Sequence, residues 1–131
     1  MIIDASALVA ILRDEPEAAA FASAIAREER RKISAVNYME AAAVIDGSGD
    51  PIASRKFDDL IREAQMTIEP VTEEQAAIAR EAYRDFGRGS GHPAGLNFGD
   101  CFAYALARAA GEPILFKGDD FRHTDLTPAL S

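Results

Sequence analysis

The acidic residues of this sequence are the side chains whose types and spacing could do chemistry. Five of them stand just after an apolar segment or near the start of a helical one: Asp4, Glu40, Asp100 and the adjacent pair Asp119 and Asp120. Carboxylate oxygens are hard ligands that suit Mg²⁺ or Mn²⁺, and such a cation can acidify water and offset charge on a phosphate. The elements that carry these acids decide whether they can meet.

Short apolar runs and helical spacing alternate along the chain. The runs predict strands over residues 1–3, 33–36, 67–69 and 113–116, with a possible fifth at 125–127. The spacing predicts helices over residues 7–12, 14–30, 37–45, 52–65, 73–86 and 98–110. Alternation of this kind is typical of the α/β class, with a short, mainly parallel central sheet flanked by helices. We expect residues 1–131 to form a single domain.

The predicted strands deliver the acids to one place. Asp4 follows the first strand, and Asp100 opens the 98–110 helix. Glu40 shares a row with Val36 and Val44, which predicts that its carboxylate lies on an inward-facing stripe, where an isolated acid is costly. The Asp119 and Asp120 pair follows the last main strand. Because ligands bind at the carboxyl ends of parallel strands, these four segments predict one acidic site at that edge.

Each acid also has an ordinary structural role open to it. Asp4 could cap a helix, Asp100 could be the third residue of a capping pair with Asn97, and the Asp119 and Asp120 pair could belong to a turn. Taken one at a time, these roles are the commoner ones. Glu40 lacks an evident structural partner, and the joint arrangement favours a metal site over four separate caps and turns.

Composition limits the partners. The 131 residues are 48% hydrophobic and carry 14 basic and 22 acidic side chains, a net charge of 14 − 22 = −8, with a pI near 4.7. This balance argues against broad, charge-driven nucleic-acid binding. It does not exclude nucleic acid as a substrate, because bound cations can neutralise a carboxylate cluster. Arg88, Lys117 and Arg122 are candidates for a basic rim that contacts RNA or a partner.

Targeting and disulfide signals are missing from the sequence. Cys101 is the only cysteine, and the longest apolar run, residues 5–12, is far shorter than the roughly 20 residues that span a bilayer. No cationic region precedes the first apolar residues. We therefore expect a cytoplasmic protein that does not insert into a membrane.

Four segments resemble, in order and over nearly the whole chain, the motifs of the PIN-domain ribonucleases, and more closely those of the VapC toxins of bacterial toxin–antitoxin pairs. They are residues 1–12, 37–40, 96–105 and 115–121. The resemblance implies the toxin of a type II pair, an endoribonuclease that depends on Mg²⁺ or Mn²⁺. It also implies restraint by a cognate VapB-type antitoxin, whose C-terminal segment occupies the active-site groove, and a homodimer.

The resemblance also assigns site residues. Asp4, Glu40 and Asp100 match the acids of the family, and Asp119 and Asp120 both stand where a fourth is needed. The position before Phe121 favours Asp120. On this interpretation Asp4 and Asp100 hold the metal, Glu40 and Asp120 complete the catalytic set, and Ser6, Asn97 and Asp119 are supporting candidates.

Three other functions compete with this one. A phospho-receiver would need a phosphorylatable Asp after the middle strand, where this chain has Glu69 and Pro70. A phosphohydrolase with a nucleophilic Asp4 would need a second acid two residues later, where Ser6 stands. A catalytically inactive binding relative is the third. The sequence does not identify the RNA target.

Overall fold

Four short parallel strands form the centre of the molecule. They are β1 (Ile2–Ile3), β2 (Lys32–Ser34), β3 (Thr67–Glu69) and β4 (Ile114–Leu115). Their order across the sheet is β3-β2-β1-β4, and all neighbouring pairs are parallel. The computed structural model describes residues 1–130. The predicted α/β class, with a short parallel sheet and flanking helices, is confirmed.

Six α-helices connect and cover the strands. They are α1 (Ala5–Leu12), α2 (Ala18–Arg27), α3 (Ala35–Asp46), α4 (Pro51–Glu63), α5 (Glu73–Phe86) and α6 (Phe98–Ala110), followed by a 3₁₀ turn at Asp120–His123. Their ends follow local chemistry: Asp50 caps α4 just before Pro51, and Gly111, with φ +66°, ends α6. Within residues 1–130, none of these helices has both the length and the apolar character to cross a membrane.

The sheet is buried on both faces at β1, at β4 and at Ile33 of β2, whereas the edge strand β3 is largely exposed. Because successive strand residues point to opposite sides, Ile3, Ile33 and Leu115 pack under α1 to α4. Ile2 and Ile114 face the other way and pack against α5 and α6. These strand side chains are at most 1% exposed. The space beyond the carboxyl ends of β1 and β4 is left for polar residues, and Asp4 lies there.

The second helix is shorter than predicted at both ends. It begins at Ala18 rather than Asp14, because Asp14 has a φ of +51° that no right-handed helix allows. It stops at Arg27 rather than Arg30, where the backbone of Glu28 becomes extended, and the guanidinium of Arg31 binds carbonyls of the last turn. Arg31 donates to the Ile25 carbonyl at 2.7 Å and also to the Ala64 carbonyl at the end of α4, again at 2.7 Å. One side chain thus caps two helices.

The possible strand at residues 125–127 does not form. The Ile114 N–H donates to the Thr127 carbonyl at 3.0 Å and Ala129 donates to Ile114 at 2.8 Å, which leaves one isolated parallel bridge between Ile114 and Pro128. Proline has no N–H to donate to a ladder, so pairing beside β4 goes no further.

Candidate active site

A cleft of about 460 Å³ opens where β1 and β4 end. Its charged lining consists of four acids and two bases: Asp4, Glu15, Glu40, Asp100, Arg13 and Lys117. Three of the four predicted acids therefore share one wall, although they come from three segments of the chain. The prediction that the sheet edge gathers them agrees with this geometry.

Asp4 is held rigidly at the end of β1. Its backbone N–H donates to the Leu115 carbonyl at 2.9 Å, and its side chain caps α1, with Oδ2 accepting from the Ser6 N–H at 3.0 Å. The Ser6 hydroxyl donates to the same oxygen at 2.6 Å. The other oxygen, Oδ1, is buried and has no hydrogen-bond partner within residues 1–130. Asp4 is thus both the helix cap and a carboxylate with a free buried oxygen.

Ser6 links the carboxyl ends of the neighbouring strands β1 and β4. While its hydroxyl donates to Asp4, it accepts from the backbone N–H of Lys117 at 3.0 Å. The segment after β4 is therefore tied through one hydroxyl to the acid after β1. This gives Ser6 a supporting role on geometric grounds.

Glu40 reaches the cleft from α3, which begins two residues earlier than predicted because Ser34 caps it. The prediction of an inward-facing stripe is wrong: the buried face of α3 carries Asn37, Ala41, Ala42 and Ile45. Val44 is 39% exposed and lines the cleft beside Glu40. Glu40 also has the partner that the sequence did not reveal, since the Asn37 amide donates to its Oε1 at 3.3 Å.

Asp100 has both roles that the sequence analysis treated as alternatives. It is the third residue of a capping box at the start of α6: Asn97 Oδ1 accepts from the Asp100 N–H at 2.8 Å, and Asp100 Oδ2 accepts from the Asn97 N–H at 3.0 Å. The same carboxylate lines the cleft and is 8% exposed. The hydrogen bond from the Asn97 N–H therefore holds the Asp100 carboxylate in its direction toward the cleft.

Three of the four acids that line the cleft have raised pKa values. Burial raises the pKa of Asp4, against the opposing hydrogen bonds from Ser6. Burial also raises the pKa of Glu40, with a further contribution from the charge of Asp4. For Asp100, burial and the negative charges of Asp4, Asp120 and Glu40 raise the pKa to about 7. A cluster of carboxylates whose pKa values are raised by burial and by one another is typical of a functional site, and its charge favours a cation.

Asp119 and Asp120 differ in their surroundings. The charge of Asp120 contributes to the raised pKa of both Asp4 and Asp100, which places it at the margin of the acidic group. The Asp119 side chain is 85% exposed and lies 3.9 Å from the Arg122 guanidinium. Neither aspartate lines the cleft, but the influence of the Asp120 charge on Asp4 and Asp100 favours Asp120 over Asp119 as the fourth acid.

The predicted basic rim divides into three separate positions. Lys117 lines the cleft, but its ammonium pairs with Glu15 at 2.9 Å and Glu17 at 3.3 Å. Arg122 lies over the Phe116 ring, 5.5 Å from its centroid, and outside the cleft lining. Arg88 is exposed in the glycine-rich loop and likewise does not line the cleft.

Sequence reasoning missed Arg13, Glu15 and Asn37. Arg13 and Glu15 belong to the connection between α1 and α2, and only the fold brings that connection over the cleft. Arg13 forms no ion pair with any acid of residues 1–130. Asn37 carried a detectable signal, because it is a polar residue one helical turn before Glu40.

The donor set has the chemistry that a divalent cation requires. Asp4 offers a buried oxygen with no partner within residues 1–130, and Asp100 and Glu40 offer carboxylates whose charge is destabilised first by burial and then by neighbouring acids. Within residues 1–130, however, no three acidic, histidine or cysteine side chains converge into a ready-made metal cage. The residues fit the hard-ligand preference of Mg²⁺ or Mn²⁺ through their oxygens and their charge.

Comparison with known proteins agrees with this geometry. The model of the PIN domain family matches residues 1–126. Ribonuclease VapC28 of Mycobacterium tuberculosis is 58% identical over 130 residues, covering 99% of this chain and 98% of that protein. Ribonuclease VapC42 of the same species is 48% identical over 131 residues and the full length of both. The chain belongs to the PIN-domain family, in its VapC group.

Solved structures show the same fold at much lower sequence identity. VapC20 of Mycobacterium tuberculosis, described as a toxin that cleaves the sarcin-ricin loop, superposes with a TM-score of 0.74 at 16% identity, covering 96% of this chain and 95% of that one. A chain of a toxin–antitoxin complex from Klebsiella pneumoniae gives a TM-score of 0.68, also at 16% identity, covering 92% and 88%.

Proposed function

We propose that this chain is the toxin of a type II toxin–antitoxin pair and cleaves RNA as an endoribonuclease that depends on Mg²⁺ or Mn²⁺. The observation that carries the proposal is the unbalanced set of Asp4, Glu40 and Asp100 around one cleft, with Asp4 Oδ1 buried and unpartnered. Relatives at 48–58% identity that are named ribonucleases support the same activity.

Asp4 and Asp100 are the residues that would hold the cation. When bound, it supplies positive charge to the phosphate and lowers the pKa of a water molecule. Ser6 and Asn97 hold the two carboxylates in direction through hydrogen bonds, so little rearrangement of Asp4 and Asp100 is required when substrate arrives. Glu40 and Asp120 complete the acidic set. Intact acids favour an active enzyme over a binding relative.

Arg13 is the cation best placed to receive an RNA phosphate. Lys117 shares the cleft but is neutralised by Glu15 and Glu17, whereas Arg13 has no acidic partner in residues 1–130. A guanidinium can bind a phosphate through two parallel hydrogen bonds. An acidic domain can thus bind RNA through a small number of contacts despite its charge of −8.

The test of the activity is cleavage of structured RNA by the purified chain. We expect cleavage with Mg²⁺ or Mn²⁺ and none with excess chelator. Full activity in chelator would exclude the metal-dependent mechanism. The fourth acid is tested in the same assay: Asp120→Asn should lower the rate and Asp119→Asn should leave it near wild type, and the reverse pattern would assign the role to Asp119.

The partner is proposed to be a cognate VapB-type antitoxin encoded beside the toxin. Expression of the chain alone should arrest growth of the host cell, and co-expression with the adjacent small protein should restore growth and give a complex that copurifies. A chain that is harmless alone but cleaves RNA in vitro would contradict the toxin role and leave the nuclease role intact. We place this activity in the cytoplasm, where Cys101 stays a free thiol.

A homodimer is proposed from an apolar surface beside the cleft. Phe98 is 71% exposed, with Met39 at 61% and Tyr83 at 48%, and apolar grooves of about 610 and 450 Å³ flank it. A protruding ring beside grooves suits a surface that pairs with a second copy of itself. Phe98→Ser should shift sedimentation toward monomer, while Ile52→Ser, which changes another exposed residue at 65%, should not.

A further inference from the structure

The Glu40 carboxylate lies between two residues that are not themselves metal ligands, Asn37 and Gly99. The first is the Asn37 amide, which is completely buried and donates from Nδ2 both to Glu40 Oε1 at 3.3 Å and to the Gly99 carbonyl at 2.9 Å. One side chain thus connects α3 to the first turn of α6. The Asn37 Oδ1 is buried and has no hydrogen-bond partner within residues 1–130, so the two hydrogen bonds from Nδ2 alone offset the desolvation of this amide.

The second feature is Gly99, whose lack of a side chain leaves space for the Glu40 carboxylate. A Cβ built there would lie 2.1 Å from Glu40 Oε2 and 2.7 Å from its Cδ. Gly99 is helical and has no positive φ, so its backbone does not need glycine. Alanine would normally favour the helix. The close approach of the Glu40 carboxylate is therefore the reason that the site requires glycine.

We infer that Asn37 and Gly99 are positioning residues that seat the Glu40 carboxylate against the first turn of α6, beside Asp100. The inference deepens the proposed function and rests on it for its consequence in catalysis. Asn37 sets the position of one carboxylate oxygen, and Gly99 leaves the space for the other. A side chain at residue 99 displaces Glu40 instead of breaking the fold, because the obstructed atoms are the end of a flexible side chain.

The first test needs no activity. Gly99→Ala is made in wild type and in Glu40→Ala, and melting is followed in chelator. In the Glu40→Ala background, we expect alanine to raise the melting temperature by about 2–4 °C, since only the helix preference remains. In wild type the rise should be smaller or reversed. A Glu63→Ala background, which removes an exposed acid of α4, should behave like wild type. Equal shifts in all three backgrounds would overturn the inference.

The second test separates positioning from general destabilisation. Gly99→Ala should lower kcat for RNA cleavage by about tenfold or more with little change in KM, and should cause no further loss once Glu40 is alanine. Asn37→Leu should do the same. Gln75→Met removes another buried amide, at the start of α5, and should leave kcat near wild type. An equal loss in Gln75→Met, or losses that simply add to that of Glu40→Ala, would refute positioning.

The two hypotheses fail separately. If wild type does not cleave RNA, the proposed function fails, and the melting comparison alone decides whether Asn37 and Gly99 seat Glu40. If wild type cleaves RNA and the melting shifts are equal, the nuclease stands and the positioning inference falls.

Discussion

The two ends of the sheet treat their carboxylates in opposite ways. At the amino ends of the strands, Glu112 is paired with Lys32 at 2.6 Å and with the amino group of Met1. Burial opposes its ionisation, but these hydrogen bonds outweigh it and lower its pKa. At the carboxyl ends, burial and neighbouring acids raise the pKa of Asp100 to about 7. At the amino ends the carboxylate is paired with cations of the protein, whereas at the carboxyl ends the carboxylates lack such partners.

This contrast distinguishes a carboxylate that stabilises the fold from carboxylates that serve a binding or catalytic site. A paired, partly buried carboxylate stabilises the fold and is costly to remove. An unpaired group of carboxylates costs stability in the free protein, and a group that persists at such a cost marks a binding or catalytic site. The same residue type should therefore respond in opposite directions to mutation at the two ends.

The largest expected effect is on RNA cleavage. Asp4→Asn removes a charge and a metal ligand while keeping the size of the side chain, and should lower kcat at least about 100-fold. Glu112→Gln makes the same kind of change at the other end and should leave cleavage near wild type at temperatures where it is folded. Cleavage rates should be measured under conditions in which both variants are folded to the same extent. Equal loss of cleavage in the two variants would contradict the contrast.

The next effect is on stability without metal. Because the folded pKa of Asp100 is raised, its stabilising contribution is present below pH 4 and is lost as pH rises toward 7. Chemical denaturation in chelator should show the unfolding free energy falling by about 2–4 kcal/mol over this range. Asp100→Asn keeps an oxygen that can accept from Asn97 and should flatten the profile. If Asp100→Asn is instead less stable than wild type at pH 7, Asp100 serves only as a helix cap.

Metal should reverse that dependence. A cation that binds only the native state adds about 2.7 kcal/mol at one hundred times Kd. At pH 7, Mn²⁺ should raise the melting temperature of wild type and much less that of Asp100→Asn. Glu63→Gln, an exposed acid outside the cleft, serves as the control. An unchanged Mn²⁺ shift in Asp100→Asn would remove that residue from the metal site.

The paired end should show the opposite sign. The lowered pKa of Glu112 means that its contribution is present at neutral pH and is lost as pH falls below about 4.5. Glu112→Gln should cost about 1–3 kcal/mol at pH 7, since it leaves the nearly buried Met1 amino group without its carboxylate. The cost should shrink in acid. A Glu112→Gln protein as stable as wild type at pH 7 would show that the pair is energetically neutral.

Sequence alone predicted the sheet edge and its acids because both depend on local patterns. Apolar runs locate strands, Asp4 and the Asp119 and Asp120 pair follow two of them, and parallel strands bring their carboxyl ends together. The direction of the Glu40 side chain could not be predicted. One face of α3 lines the cleft instead of the core, and a row of residues at helical spacing looks the same in the sequence in either case. Arg13 was missed for a related reason: it is an exposed cation in a connection whose path only tertiary packing sets.

The smallest expected effect is at Arg13, the cleft cation that no acid of residues 1–130 compensates. If its guanidinium binds an RNA phosphate, Arg13→Gln should raise KM about three- to tenfold and leave kcat nearly unchanged, because the contact is made equally in the ground and transition states. The dependence of KM on salt should also weaken, by about 0.7 to 1 in the slope of log KM against log salt. Arg13→Lys keeps the charge and should recover part of the affinity. Arg27→Gln removes an exposed cation from the end of α2, outside the cleft lining, and should change neither quantity. If Arg13→Gln instead lowers kcat and leaves the salt slope unchanged, Arg13 acts on the acids of the cleft and not on the phosphate.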